Sequence, residues 1–312
     1  MPETKDIINK AGESTIQTSS IAHGLLNPEQ ARKFLKQTFE ATNLSPLVRH
    51  EMRTAKSGEI DKIGIASRIL RGKSENTDDG YRANVKTSVI NYACKAVRLP
   101  WEITEETLRE NIEGQQFEAI VTDLMTTQLG IDMEDLYLNG DEDTASDAQD
   151  YDFLKLNDGW IKQISNGGHV LDAASESEMS LDIFYKALQS IPNKYNNGKL
   201  NWLMSPKRAQ EWELYLLNKV VGQGGAVPEN VYTAPAKIKA IECPSMSDDK
   251  IILTDPKNLI VVNTYNMQIR KTTEGKEAIM KDKRFYVCHL DFDAIIEELD
   301  ATAIIENLPK IL

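Results

Sequence analysis

The residues with the densest chemical potential stand in the acidic run Gly140–Asp152 (GDEDTASDAQDYD). A calcium loop of the EF-hand type needs oxygen ligands at its first, third and fifth positions, Gly at the sixth and a bidentate Glu at the twelfth. Counted from Asp141, the fifth position is Ala145, the sixth Ser146 and the twelfth Asp152, so the run reads as a solvated surface loop. Gly222-Gln223-Gly224-Gly225 has the glycines of a phosphate cradle. It lacks both the Lys-Ser/Thr of a P-loop and the GxGxxG of a dinucleotide fold, and reads as a plain loop. The four histidines, His23, His50, His169 and His289, are far apart and form no HExxH. Cys288 precedes His289, the minimum for a thiol nucleophile, but neighbours in a strand project to opposite faces and do not pair locally. Cys94, Cys243 and Cys288 are odd in number and lack CxxC spacing. They point to buried, reduced thiols made in a cytoplasm, not to a disulfide framework or a zinc site. Lysines of a basic arm have the amine for isopeptide bonds to a neighbour's Asn, yet nothing in the sequence identifies such a pair. The chain is read as having no catalytic residue, no cofactor and no metal, hence as no enzyme.

What remains is charge. The 312 residues carry a net −12, with 41% hydrophobic and 27% charged residues, an ordinary globular composition. A balance this acidic argues against a surface that grips nucleic acid throughout. The charge is uneven, however. Arg53, Lys56, Lys62, Arg68, Arg71, Lys73, Arg82, Lys86, Lys95 and Arg98 face only five acids (Glu59, Asp61, Glu75, Asp78, Asp79). That segment is therefore basic on a strongly acidic body, an arrangement that attracts a second copy of the same body. The plainer reading is a solvated hairpin kept soluble by its charges. No window holds the ~18 consecutive apolar residues of a membrane span, and the start, MPETKDIINKAGES, has no apolar core of the secretion-signal kind. The length exceeds what one core usually sustains, so two subdomains with extensions are expected.

Residues 1–26 are polar and read as a tail. Asn27 then caps a helix with Pro28 at its first position, and Ala31, Phe34, Leu35, Thr38 and Phe39 fall on one stripe. Asn43 and Ser45-Pro46 end it. A single stripe without a sequential partner must dock onto another element or chain. Two strands are expected near Asp61–Leu70 and Arg82–Leu99, flanking the turn-rich tip Gly72–Tyr81. Thr104 caps the next helical pattern, with Glu105 and Glu106 in its first turn. Gly114 divides that pattern, so a short helix runs into a long one, and either Gly130 or Asn139-Gly140 closes it. Phe117, Ile120, Val121, Leu124 and Met125 are the stripe expected to face the core. Ser180 caps a helix bearing Leu181, Phe184, Leu188 and Ile191. Gly198–Trp212 reads strand, turn, helix, and the chain from Ile251 onward is strand-rich. No internal repeat occurs.

This layout resembles the major capsid protein family of tailed bacteriophages, whose fold encapsulin nanocompartments share. The resemblance rests on the order of several short texts: Trp101–Glu105 (WEITE), Leu136–Gly140 (LYLNG) with Gly159-Trp160, Asn201–Pro206 (NWLMSP), Ile252–Ile260 (ILTDPKNLI) and Val287–Ile305. It implies an α+β fold with an N-terminal arm (1–52), an extended two-stranded loop (53–98), a peripheral domain beginning with a spine helix (99–179), an axial domain (180–250) and closing strands shared by both domains (251–312). It further implies a shell subunit that self-assembles through pentamers and hexamers around a phage genome. The duplex DNA would be packaged without sequence-specific contact, and no membrane is involved. The length fits a member without a large N-terminal scaffolding region, so a separate scaffolding protein and a portal are expected partners, with assembly in the host cytoplasm and residence in the virion. Arg68, Ile69, Leu70, Arg71, Lys73 and Tyr81 of the loop, with Phe34 and Phe39 of the arm, are the expected contacts between subunits. An encapsulin-like compartment is the nearest alternative. A soluble enzyme with an unrecognised site is the alternative from another class.

Overall fold

The computed structural model describes residues 24–25, 42–65, 68–72, 80–110, 117–221, 224–225, 234–265 and 267–309. In chain order the strands are β1 (Gly24–Leu25), β2 (Arg49–Met52), β3 (Ser57–Gly64), β4 (Lys86–Ala93), β5 (Lys95–Thr104) and β6 (His169–Asp172). They continue with β7 (Asn201–Met204), β8 (Ala240–Glu242), β9 (Ile251–Thr254), β10 (Leu259–Asn263), β11 (Gln268–Thr272), β12 (Lys283–Ile296) and β13 (Ala303–Glu306). The α-helices are α1 (Glu105–Glu110), α2 (Phe117–Asn139), α3 (Tyr151–Leu154), α4 (Trp160–Gly167), α5 (Leu181–Ser190), α6 (Pro206–Leu216) and α7 (Lys276–Met280).

Three sheets result. The long strand β12 is the axis of the first: β5 runs antiparallel along one edge from Lys283↔Thr104 to Phe292↔Lys95. Its other edge is shared end to end by β11 and β10. β2 adds in parallel to β10, and β1 pairs with β11. The second sheet has the order β6-β13-β9-β7-β8, and β3-β4 forms the third alone.

The second sheet is covered on both faces, and its side chains divide by the two-residue period of a strand. Trp202, Met204, Ile251, Leu253, Ala303 and Ile305 pack with Ile183, Phe184 and Trp212 from α5 and α6. The alternate residues Leu203, Ile252 and Ile304 face the core under the first sheet. Ser205 accepts the Arg208 N–H with Pro206 at the first helical position, which is why NWLMSP turns from strand to helix. Two short crossings between these sheets lie at Pro256–Asn258 and Leu299–Ala301. Asn258 ties the crossings together, donating to the Glu298 carbonyl at 2.9 Å and accepting the Glu298 N–H at 2.9 Å.

Gly140 closes the long helix because nothing larger fits. A Cβ there would stand 2.3 Å from the Asn157 carbonyl oxygen, and one on Gly159 would stand 2.6 Å from that of Leu138. The two glycines meet backbone to backbone, Gly159 N–H donating to Gly140 O at 2.7 Å. Trp160 thereby enters the core fully buried and donates to the Ile295 carbonyl. LYLNG and the later Gly-Trp are thus one packed joint.

Three expectations need correction. The long helix buries only part of the stripe of Phe117, Ile120, Val121, Leu124 and Met125: Phe117 and Met125 pack against the core beside the buried Val121. Val121, Leu129, Met133, Leu136 and Tyr137 face inward, whereas Ile120 is 40% exposed and Leu124 63%. The helix carries apolar residues on two faces, and the position of the β-sheet chooses between them. The strand expected over Arg82–Leu99 is two strands broken at Cys94: β4 stays with the hairpin, and β5 joins the main sheet. The first strand also lies earlier than Asp61–Leu70, at Ser57–Gly64.

Candidate assembly surfaces

The hairpin β3-β4 is bonded in register from Ser57↔Ala93 to Gly64↔Lys86 and, among the described residues, to no other strand. Only its root is buried. Ile60, Tyr92 and Cys94 pack on Ile260, Val262 and Ile295 of the main sheet. Polar clamps surround this patch. Asp293 accepts the Ala93 N–H at 2.6 Å, and Lys56 reaches Asp291 at 2.9 Å. Lys62 pairs with Glu298 and donates to the Glu297 carbonyl at 3.1 Å.

Asp291 and Asp293 stand two apart in β12, so both project to the side where the hairpin stands. Asp291 also accepts from the Thr264 hydroxyl at 3.0 Å. Burial raises the Asp293 carboxyl above its ordinary range, opposed by its hydrogen bonds to Ala93 and Ala294. The same burial, with both aspartates nearby, pushes the Cys94 thiol up to about 11. Sequence reasoning missed this clamp; two acids two apart in LDFDAII were the available signal.

Beyond the root the hairpin leaves the body. Ile63 is 71% exposed and Leu70 95%; Ile65, Val85 and Val89 are also exposed. Arg68, Ile69, Leu70 and Arg71 all lie on this projecting part, and the Arg71 guanidinium covers the Tyr81 ring at 4.1 Å. The structure thus brings Arg68, Ile69, Leu70, Arg71 and Tyr81 to one projection. Lys73, Phe34 and Phe39 lie outside the described residues.

The chemistry weighed on the body takes other forms here. In the acidic loop, Lys162 places its ammonium between Asp141, Asp143 and Asp158 at 2.6, 2.6 and 2.8 Å. The three carboxylates share a cation that the chain itself supplies, which holds Asp141 below the usual carboxylate range. Cys288 is buried and pushed up to about 12, and burial raises Cys243 too. Neither is a thiolate nucleophile at neutral pH. The start of the long helix is fixed to the sheet by Arg284, fully buried, with Nη1 2.7 Å from Glu118 and Nε 3.3 Å from Glu105. Glu118 also pairs with Lys271 and accepts from the Tyr286 hydroxyl at 2.8 Å. Among the described residues no helix is long and apolar enough to cross a membrane.

The fold comprises a long helix, a main sheet, a second sheet and a projecting hairpin. No family model matches the chain. It is 29% identical over 316 residues to the "Putative prophage capsid protein YqbE" of Bacillus subtilis (strain 168), an alignment covering 96% of this chain and 97% of that one. Among solved structures it is similar to the satellite phage P4 procapsid that includes the size determination (Sid) protein. That match has a TM-score of 0.69 at 13% identity over 97% of this chain and 96% of that one. The capsid of an empty GTA particle matches with a TM-score of 0.62 at 10% identity over 98% of each chain. A virus-like particle from Pyrococcus furiosus matches with a TM-score of 0.52 at 12% identity over 89% of this chain and 98% of that one. The fold is that of tailed-phage capsid proteins, running the length of the chain. Along its whole length the chain is similar to phage capsid proteins, the family that WEITE, LYLNG and NWLMSP resemble.

Proposed function

We propose that this chain is the major capsid protein of a tailed phage or prophage, a non-catalytic subunit whose copies form the icosahedral shell around the genome. The observation that carries the reading is the projecting hairpin: an apolar and basic blade, fixed at its root, on a chain whose fold matches capsid proteins end to end. Residues 1–52 serve as the N-terminal arm and 53–98 as the extended loop. Residues 99–179 with the closing strands of 251–312 form the peripheral domain, and 180–250 form the axial domain. The exposed Ile69 and Leu70, with Tyr81, anchor the blade on an adjacent copy. Arg68, Arg71 and Lys73 meet acidic surface there, for which the loop with Glu142, Asp143, Asp147, Asp150 and Asp152 supplies the charge.

A standard interface buries ~800 Å² per partner, within reach of an arm of this length. Each contact can be modest because a closed shell engages several per subunit. A scaffolding protein, a portal and DNA bound without base contacts complete the assembly, which takes place in the host cytoplasm and ends in the virion. The similarity to a putative prophage capsid protein along nearly the whole chain favours a phage shell over an encapsulin-like one. Negative-stain microscopy and sedimentation of the purified protein with its scaffold test this. Pentamers, hexamers or closed shells are expected, and a monomer at every salt and concentration would overturn the reading.

A further inference from the structure

Among the described residues, one face of the main sheet is covered for only part of its length. Tyr286, Cys288, Leu290 and Phe292 of β12 turn to the core, so the residues between them project from the opposite face. The hairpin root occupies one end of that face, over Ile260, Val262 and Ile295. At the other end Arg98, Pro100, Arg270 and Thr272 are exposed, with Phe285, Val287 and His289 half-buried among them. The ladders set these side chains in rows. His289 stands between Arg98 and Gln268, Val287 between Pro100 and Arg270, and Phe285 between Glu102 and Thr272. Glu102 is already paired with Lys283 at 2.9 Å. The face therefore runs from basic to apolar. A cleft of about 400 Å³ opens at its basic end among Tyr265, Gln268, Arg270 and His289. Past its apolar end, α7 holds Ile279 70% and Met280 79% exposed.

The hairpin carries the counterpart on the side away from its own body. Ile60 and Tyr92 face that body, so Glu59, Asp61 and Ile63 face out, opposite Asn91, Val89 and Thr87 of β4. All six are exposed. This side runs from acidic to apolar: Glu59, then Asp61 beside Val89, then Ile63. Both patterns advance by two residues per step, about 6.7 Å, so their rows keep pace with each other. Among the described residues, Glu59, Asp61, Arg98 and Arg270 have no ion-pair partner. The hairpin stands over its own sheet with both acids on its far side, so they point away from the basic face of the same chain.

Resting on the shell reading above, we infer that the outward side of one copy's hairpin stacks, sheet on sheet, upon the open half-face of the next copy. Stacked sheets lie ~10 Å apart, a gap that Glu and Arg side chains reaching from opposite sides close. In this docking Glu59 and Asp61 meet Arg98, His289 and Arg270, while Val89 and Ile63 cover Val287 and Phe285. An apolar middle with arginines at its edge is the chemistry of a protein interface. A face built for DNA phosphates has no use for Val287 and Phe285. The two surfaces are different parts of one chain, so the contact is head-to-tail, the kind that generates closed rings. The hairpin is thus basic toward its tip and acidic near its root, and each end has its own receptor.

The test is a charge swap in the full chain. Glu59→Lys with Asp61→Lys reverses the hairpin side, and Arg98→Glu with Arg270→Glu reverses the face. All four positions are exposed, so both double variants should keep the melting temperature of the unmodified subunit. Each alone should need at least ~10-fold more protein to associate at low salt, read by sedimentation, because every contact then sets like charges together. Mixed in equal amounts, the two should regain association. Contacts between unlike copies join reversed hairpin to reversed face and native hairpin to native face, so all of them pair opposite charges. Double variants that associate as the unmodified chain does would overturn the docking and leave the shell reading standing. So would a mixture that associates no better than its parts. An unmodified chain that stays monomeric at every salt and concentration would overturn both.

Discussion

Removing the Arg284 guanidinium tests whether the spine helix is held by charge or only by packing. Arg284 is fully buried, while its partners Glu118 and Glu105 are 26% and 16% exposed. Breaking a buried pair by deleting one member costs ~3–5 kcal/mol, because the other charge is stranded. Here Glu118 keeps Lys271 and Tyr286 and retains some solvent, so a discount is due, and Arg284→Met should cost ~2–3 kcal/mol. Glu118→Gln strands the arginine instead and should cost a similar amount. The double variant leaves no stranded charge, so its loss should fall at least ~1 kcal/mol short of the sum. The assay is denaturant unfolding of the unassembled subunit, with the midpoint shift read at constant slope. Against a total stability of ~5–15 kcal/mol such shifts are readily measured. Losses that add within ~0.5 kcal/mol, as for independent sites, would refute the idea that these charges act as a unit.

Four further outcomes are expected. Reversing Arg68, Arg71 and Lys73 to Glu should impair assembly while leaving the subunit folded, since surface reversals usually shift stability by under ~0.5 kcal/mol each; normal shells at low salt would refute the charge role of the arm. Gly159→Ala should lose most soluble subunit, because its Cβ meets the Leu138 carbonyl oxygen at 2.6 Å, and an unchanged melting temperature would show that the joint is not tight. Native subunit at pH 8 should leave Cys94, Cys243 and Cys288 unlabelled by a thiol reagent that reacts with all three in denaturant, as their burial and raised pKa require. Asp293→Asn should not lower the melting temperature at pH 7. The folded pKa of Asp293 is raised above its unfolded value, so this carboxylate disfavours folding at neutral pH and ceases to do so as pH falls through the folded pKa; a fall of several degrees in the asparagine variant would contradict that sign.

The sequence by itself determined the elements whose causes are local. Ser205-Pro206 carries its own helix start, and the density of Lys and Arg before Leu99 marked the segment that leaves the body. The order of its short texts also pointed to the capsid fold. Tertiary structure decided which face of α2 turns inward, because a helix with apolar residues on two sides presents either one equally well until a sheet packs against it. It decided likewise that β5 leaves the hairpin at Cys94, since β12 offers ten residues of ladder that the hairpin does not. The clamp of Lys56 and Lys62 on Asp291 and Glu298 joins residues more than 230 positions apart. No local pattern encodes such a meeting; it exists only after the long strand has brought both ends of the chain to one sheet.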